Sequence, residues 1–360
     1  MRIAIDGREL SGETTGVGRY LHHLLVEWGR LADAAAHQFS IYSPSGRLGL
    51  PPGFPGEVVP VAGDGGTRWE QGQFARALRK DRPDVLFAPG YTAPLVHGVP
   101  TVLVIHDVSF LAHPEWFGRR EGLRRRLLVR LSSGRAKRIL TVSEFSRDEI
   151  VRRLGIPAGR VRVIRHGLPA PRAAATAIRQ PLVLYVGSLF NRRHVPELIE
   201  GFARVAATHA TLRLMLVGRN RTHPPQDPGA LARAAGIGNR VVVRDWIDDE
   251  ALADAYARAS AFAFLSEYEG FGFTPLEALA AGVPPVVLDT PVAREIYGDA
   301  AVRIPSPEPA AIAAALADVL TPDSATRRAV LAAAPGVLAR YSWPAAARDT
   351  LTAIEEAART

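Results

Sequence analysis

The stretch AFAFLSEYEGFGFTPLEALAAGVPPVVL, residues 261–288, reads as strand, glycine turn, helix and strand in immediate succession. Ala261–Leu265 is a short apolar run, Gly270 and Gly272 interrupt it, and Pro285–Leu288 is apolar again. Between them Pro275 sits early in a helix-like segment that Gly282 ends, the usual asymmetry of proline at helix starts and glycine at helix stops. A strand that feeds a helix and then another strand is the repeating unit of a parallel sheet with helical crossovers.

The same rhythm runs outward from this stretch. Upstream, Leu182–Val186, Leu212–Val217 and Val241–Arg244 are strand-like; before the coil-like segment Pro169 to Gln180 come Arg2–Asp6, Phe39–Tyr42, Val85–Ala88, Thr101–His106, Ile139–Val142 and Val161–Ile164. Ser143 can cap a helix that carries Glu144, Asp148 and Glu149. From Pro307 the pattern is almost wholly helical, and Ser342-Trp343-Pro344 marks a last helix. The expected architecture is α/β: two doubly wound, Rossmann-like domains over 1–168 and 181–342, a linker over 169–180, and a helix over 343–360 that crosses back to the first domain. Ligands of open parallel sheets bind beyond the carboxyl ends of the strands, so two such domains facing each other are expected to enclose a cleft.

Length and composition agree. At roughly 150 residues per domain, 360 residues make about two domains. With 47% hydrophobic and 22% charged residues the chain is neither disordered nor fibrous. The absence of cysteine excludes disulfides, thiolate nucleophiles, iron–sulfur clusters and sulfur-ligated zinc. Met1–Asp6 reads as a strand rather than a secretory leader, and no run approaches the ~18 apolar residues of a spanning helix. A cytoplasmic protein is expected, peripheral at the inner face of a membrane. The net charge of +8 favours anionic partners. All basic residues but Lys80 and Lys137 are arginine.

Four segments could carry chemistry. Gly12 to Gly18, including Gly16, precedes the amphipathic stretch Tyr20–Arg30, and its amides could meet an anion at a helix N-terminus. It is neither Gly-x-Gly-x-x-Gly nor a Walker loop, so a tight turn and a ligand loop both remain open. His106-Asp107 ends a strand; the imidazole could bond a sugar hydroxyl or a phosphate, or His106 could simply pack beside a capping Asp107. Gly187 opens the loop that leads to Arg192 and Arg193, whose paired guanidiniums suit a departing diphosphate. In the opening stretch Glu269 and Glu277 flank free amides at a helix start, offering anion donors in the middle and hydroxyl acceptors at both ends. Phosphate plus sugar matches that inventory.

A fifth segment is basic. From Gly118 to Arg138 eight arginines and one lysine interleave with Leu123, Leu127, Leu128, Val129 and Leu131. It reads either as a face for an anionic membrane or as a solvated helix with ordinary core leucines. No aromatic residues stand between the arginines, so no nucleic-acid module is expected.

Glu269-x7-Glu277 resembles the motif of retaining nucleotide-sugar glycosyltransferases of the GT-B fold, family 4. Further stretches that resemble the family are Thr15–Tyr20, His106–Trp116, Ile139–Gly155, Val186–Phe202, Asp289–Ala301 and Tyr341–Ala347. The resemblance implies that Glu269 lies against the donor sugar, that Glu277 accepts bonds from the ribose, and that Gly270, Phe271 and Gly272 present amides to sugar and phosphate. Arg192 and Arg193 align with an Arg-Lys pair, so Arg193 takes the diphosphate contact of a lysine. Val243 to Ile247 aligns with the stretch whose backbone reads the base, which places Trp246 and Ile247 at the donor and Asp245 where glycine is usual. Two further departures are His194 for asparagine or glycine and His166-Gly167 for Asn-Gly.

The resemblance further implies same-face attack without a metal, His106 orienting the sugar, and no cofactor beyond the nucleotide-sugar co-substrate. Val186 to Phe202 and Thr290 to Glu295 look most like mannosyltransferases that use GDP-mannose. The expected activity moves a hexosyl group, mannosyl favoured, to a hydroxyl of a glycan or lipid-linked acceptor bound by the first domain. Alternatives are a GT-B relative with phosphorylase or epimerase chemistry, or a non-catalytic module for anionic ligands. If charge is all that Arg193 supplies, Arg193→Lys should stay active; inactivity would point to a bidentate contact.

Overall fold

Four-residue runs with every side chain buried, VLFA at 85–88, TVLV at 101–104, AFAF at 261–264 and PVVL at 285–288, lie inside the sheets. Continuous apolar runs of this kind mark parallel strands covered on both faces. The computed structural model describes residues 1–11, 16–44, 46, 48–168 and 178–359. The chain forms two compact units, Met1–Gly167 with Ser342–Thr360, and Leu168–Tyr341.

In the first unit the order is β1 (Arg2–Asp6), α1 (Gly16–Trp28), β2 (Gln38–Ser43), β3 (Gly56–Pro60), α2 (Ala75–Asp81), β4 (Val85–Ala88), β5 (Thr101–Val104), α3 (Ser109–Ala112), α4 (Arg119–Arg135), β6 (Arg138–Thr141), α5 (Glu144–Leu154) and β7 (Val161–Val163). The strands pair in parallel in the order β3-β2-β1-β4-β5-β6-β7. The second unit runs β8 (Leu182–Val186), α6 (Val195–Ala206), β9 (Arg213–Val217), α7 (Pro228–Ala234), β10 (Val241–Arg244), α8 (Asp249–Arg258), β11 (Ala261–Phe264), α9 (Phe273–Ala280), β12 (Pro285–Leu288), α10 (Pro291–Tyr297), β13 (Val302–Ile304), α11 (Pro309–Leu320) and α12 (Ala325–Leu338). Its strands are parallel in the order β10-β9-β8-β11-β12-β13. The last helix, α13 (Trp343–Arg359), belongs to the first unit.

Both units are the expected doubly wound sheets. The two strands the sequence pattern did not reveal, β3 and β13, are edge strands. Their side chains are mostly half-buried or exposed, so the apolar run that marks an inner strand is missing. Of the expected linker, residues 169–177 lie outside the described residues, and residues 178–180 are tied to the second unit. Arg179 donates to the carbonyls of Tyr256, Ala257 and Ala259, and to that of Ala281. The opening loop Gly12 to Thr15 also lies outside the described residues.

The helix cap expected at Ser143 is present. Ser143 Oγ accepts from Ser146 N at 3.1 Å and starts α5. Asp248 accepts from Ala251 N at 2.8 Å, so it caps α8. The closing helix packs on α1, where Trp28 Nε1 donates to Ala347 O at 2.9 Å, and beside the start of β2, where His37 meets Glu355 at 2.9 Å. Trp28 is fully buried and stacks on Phe39 at 5.4 Å, so α13 covers part of the first unit's core rather than trailing from it.

Among the described residues no helix is long and apolar enough to cross a membrane. The topology locates one place of interest in each sheet. Strand order reverses between β1 and β4 and between β8 and β11. At such switch points the loops after the two adjacent strands turn away from each other and open a crevice at the carboxyl ends.

Candidate functional site

At the second switch point the loops after β8 and β11 meet. Gly187 leaves β8 with φ at +143°, and a Cβ there would sit 2.7 Å from Arg193 Nη1. Arg193 therefore needs the absence of a side chain next door. Its Nε and Nη2 donate to Glu269 Oε1 at 3.1 and 2.7 Å, and its Nη1 donates to Ser188 O at 2.6 Å. Burial alone would lower the affinity of this guanidinium for its proton, but the Glu269 charge and the Tyr185 phenol outweigh it and raise the pKa. The ring of Phe264 lies 4.7 Å beneath it. Arg192 lies over Phe190 at 4.4 Å, and its carbonyl accepts from Glu267 N at 3.0 Å, which ties the two loops together.

Glu269 also accepts from Ser266 Oγ at 2.8 Å. All three bonds converge on Oε1, so the carboxylate is fixed through one oxygen while the other keeps its own lone pairs. Gly272 then turns the chain into α9 with φ at +88°, a conformation glycine takes without strain. A Cβ at Gly272 would lie 2.1 Å from the Tyr297 hydroxyl, which donates to Gly272 O at 3.0 Å. Burial holds that phenol well above its ordinary range, so it stays a donor. Phe271 meets Tyr341 edge-on at 5.2 Å, and Tyr341 donates to Ile296 O at 2.7 Å. Half-buried Glu277 on α9 accepts from Tyr256 OH at 2.9 Å through Oε2.

The structure thus brings Gly187, Arg192, Arg193, Glu269, Gly270, Phe271 and Gly272 together, with Glu277 one helical stretch on. Arg193 acts as a fork with three bonds, not as a point charge, which a lysine could not reproduce. Trp246 follows edge strand β10 and is 68% exposed, while Ile247 packs against the core. Ser266, Tyr256 and Tyr297 escaped the sequence reading as supports. Their signal is a hydroxyl beside a motif glutamate or glycine, visible only once the loops meet.

His194, one of the departures, has φ at +51° and precedes α6. Asparagine and glycine reach that region most easily; histidine is held there by Glu267 at 2.7 Å and Glu197 at 3.5 Å. Burial lowers its pKa and the two carboxylates raise it, with a net rise.

His106 and Gly16 stand in the first unit. An added Cβ at Gly16 would meet nothing within 4 Å, so its surroundings place no demand for glycine. His106 is half-buried, and its Nε2 lies 2.9 Å from Pro89 O, so that nitrogen carries the proton and donates to the carbonyl. Its ring is 5.0 Å from Tyr20 and 5.6 Å from buried His166, which itself lies 4.8 Å from Tyr20 and 5.6 Å from Trp343. Burial lowers the pKa of His106 and of His166, the latter well below the ordinary value. At Gly167 a Cβ would come 2.1 Å from Trp343 N, which explains the glycine of that departure.

At the first sheet's own switch point, Arg8 bridges buried Asp6 and buried Glu70, and Thr92 Oγ1 donates to Glu70 at 2.6 Å. Burial pushes the Asp6 carboxyl up against the opposing pull of Arg8. None of these residues stood out in the sequence. Among the described residues no three histidine, aspartate or glutamate side chains gather as a metal cluster.

Two family models divide the chain between them. Glycosyltransferase Family 4 matches residues 14–172, and Glycosyl transferases group 1 matches residues 172–334. The chain belongs to the family 4 glycosyltransferases. O-antigen chain mannosyltransferase B of Escherichia coli is 28% identical over 78% of this chain and 76% of its own length. Glycogen synthase of Mycobacterium tuberculosis is 29% identical over 76% of this chain and 68% of its own. The solved structure of WaaG, a glycosyltransferase involved in lipopolysaccharide biosynthesis, matches with a TM-score of 0.76 at 17% identity, over 98% of this chain and 99% of the other. The fold of this glycosyltransferase is therefore GT-B.

Proposed function

We propose that this glycosyltransferase is a retaining, metal-independent hexosyltransferase. It takes its sugar from a nucleotide diphosphate, GDP-mannose favoured, and delivers it to a hydroxyl of a glycan or lipid-linked acceptor. The observation that carries the reading is the oriented pair Glu269 and Glu277 on either side of the Gly270–Gly272 turn, with Arg193 locked to the first. In this reading Glu277 grips the ribose, the amides from Gly270 to Gly272 meet the diphosphate, and Glu269 aligns the sugar. Arg192 and Arg193 supply the positive charge that stabilises the phosphate as it leaves. Trp246 and Ile247 flank the base, and His106 in the first unit orients the sugar through its Nδ1.

In the proposed transfer the bond from C1 to the phosphate oxygen breaks and the bond from C1 to the acceptor oxygen forms on the same face. The acceptor proton passes to the departing phosphate oxygen. The mannosyl preference draws support from the mannosyltransferase relative, and the glycogen synthase relative makes a glucosyl donor the competitor to test.

Incubation of the purified protein with a panel of nucleotide sugars, read as slow donor hydrolysis, tests base and sugar together without an acceptor. GDP-mannose is expected to be consumed fastest. Consumption that depends on inorganic phosphate would replace the transferase with a phosphorylase, and an isomerised donor would replace it with an epimerase.

A further inference from the structure

We propose that the outward face of α4 docks the first unit onto an anionic phospholipid surface. The helix is fully seated by its inner face. Val129 is fully buried, Ser132 exchanges hydrogen bonds with the backbone of Ala93 at 3.2 Å in both directions, and Arg125 lies over the rings of Tyr91, Phe110 and Phe117. Leu123, Leu127 and Leu131 take no part in that packing. They are 64%, 55% and 36% exposed, and they stand four residues apart in one line. Singly exposed leucines are ordinary, but a line of three on one helix marks a contact surface.

The charge around that line selects the occupant. Arg120, Arg124 and Arg130 are exposed, and at about 100° per residue they share an arc of about 120° with the three leucines. The only acid on the helix, Glu121, falls outside this arc. A second copy of this face would set arginine against arginine. A polynucleotide would satisfy the arginines but gain nothing from leucines with no aromatic ring among them. A bilayer that carries acidic headgroups satisfies both, because leucine side chains enter the acyl boundary while guanidiniums stay at headgroup depth. The inference deepens the proposed lipid-linked acceptor and rests on that reading only for its purpose.

The test is co-sedimentation of the full chain with vesicles of equimolar phosphatidylcholine and phosphatidylglycerol, against vesicles of phosphatidylcholine alone. Retention is expected on the acidic vesicles, weakening as salt rises. Combined replacement Leu123→Ser, Leu127→Ser and Leu131→Ser should lower partitioning about tenfold or more, with melting temperature and donor hydrolysis unchanged. Combined Arg120→Glu, Arg124→Glu and Arg130→Glu should abolish it. Wild-type protein left in the supernatant at low salt would overturn the proposal, as would a serine variant that sediments like wild type. So would leucine-dependent self-association in light scattering, or binding to a polynucleotide without binding to vesicles. Lost donor hydrolysis with vesicle binding intact would instead sink the transferase reading and leave the docking face standing.

Discussion

The strand ends of the two units are assembled by opposite means. In the second unit the polar groups come from the loops after the adjacent strands β8 and β11 and from the start of α6, and are held as ion pairs: Arg193 with Glu269, and His194 with Glu267 and Glu197. In the first unit Tyr20, His23, His106, His166 and Trp343 come from both ends and the middle of the chain and pack as a cluster of rings. The proton affinities follow. Arg193 and His194 are raised by their carboxylates against burial, whereas His106 and His166 are lowered by burial, and His23 is lowered to about 4 by burial and its basic neighbours. One unit holds its charges in ion pairs; the other keeps its imidazoles neutral within a packed cluster of rings.

The largest effect should come from the charged side. Glu269→Ala is expected to lower kcat about 100-fold or more, because it removes the group proposed to align the donor sugar. The same change leaves Arg193, only 11% exposed, without its carboxylate. A loss of stability on the order of 3 kcal/mol should accompany it in urea unfolding. Unchanged turnover would break the contrast at its strongest point.

On the packed side, Gly167→Ala forces a Cβ into contact with the Trp343 backbone. It should cost about 2 kcal/mol of stability by overpacking, with donor hydrolysis per folded molecule little altered. A drop in turnover at unchanged melting temperature would show instead that the added methyl acts by shifting His106, which neighbours His166 in the cluster, rather than by overpacking alone.

Arg193→Lys sharpens the difference between fork and charge. Three bonds in one plane cannot be kept by an ammonium, so kcat should fall about tenfold or more, while a role of charge alone would predict wild-type rates for lysine. Steady-state kinetics with saturating donor decide between them.

The smallest effect is one of pH. His23, His106 and His166 in the first unit have folded pKa values below the unfolded value of about 6.5. Their neutral forms stabilise the fold above that pH, and the contribution is lost as pH falls toward the folded values. His194 has the opposite sign: its contribution is present below about pH 6.5 and is lost as pH rises through its raised folded value. Hydrogen exchange followed from about pH 7 to pH 5 should therefore loosen α1 and the start of α13 while the start of α6 tightens. Parallel loosening of both regions would contradict these assignments.

The same contrast decides what could be read from the sequence. Ser266 to Gly282 is local: strand, turn and helix lie side by side in the chain, and Gly272 and Gly282 sit where a positive φ requires glycine. Gly187, Arg192 and Arg193 are local to one another in a single loop, although 76 residues of chain separate Arg193 from Glu269. Nothing local joins Tyr20 to Trp343, or Asp6 and Arg8 to Glu70, because those groups meet only when the sheet is built. Edge strands β3 and β13 were missed for a related reason, since a strand with one exposed side lacks the continuous apolar run of β4 or β11. Gly16 is the reverse case, a glycine that drew notice in the sequence and meets no steric need in the fold.

The most direct measurement is the structure of the protein soaked with GDP-mannose. Density is expected for the diphosphate against the amides of Gly270 to Gly272, for the ribose hydroxyls on Glu277 and for the sugar beside Glu269. Density for the nucleotide sugar at any other strand end, with the Glu269 to Glu277 segment untouched, would contradict this placement.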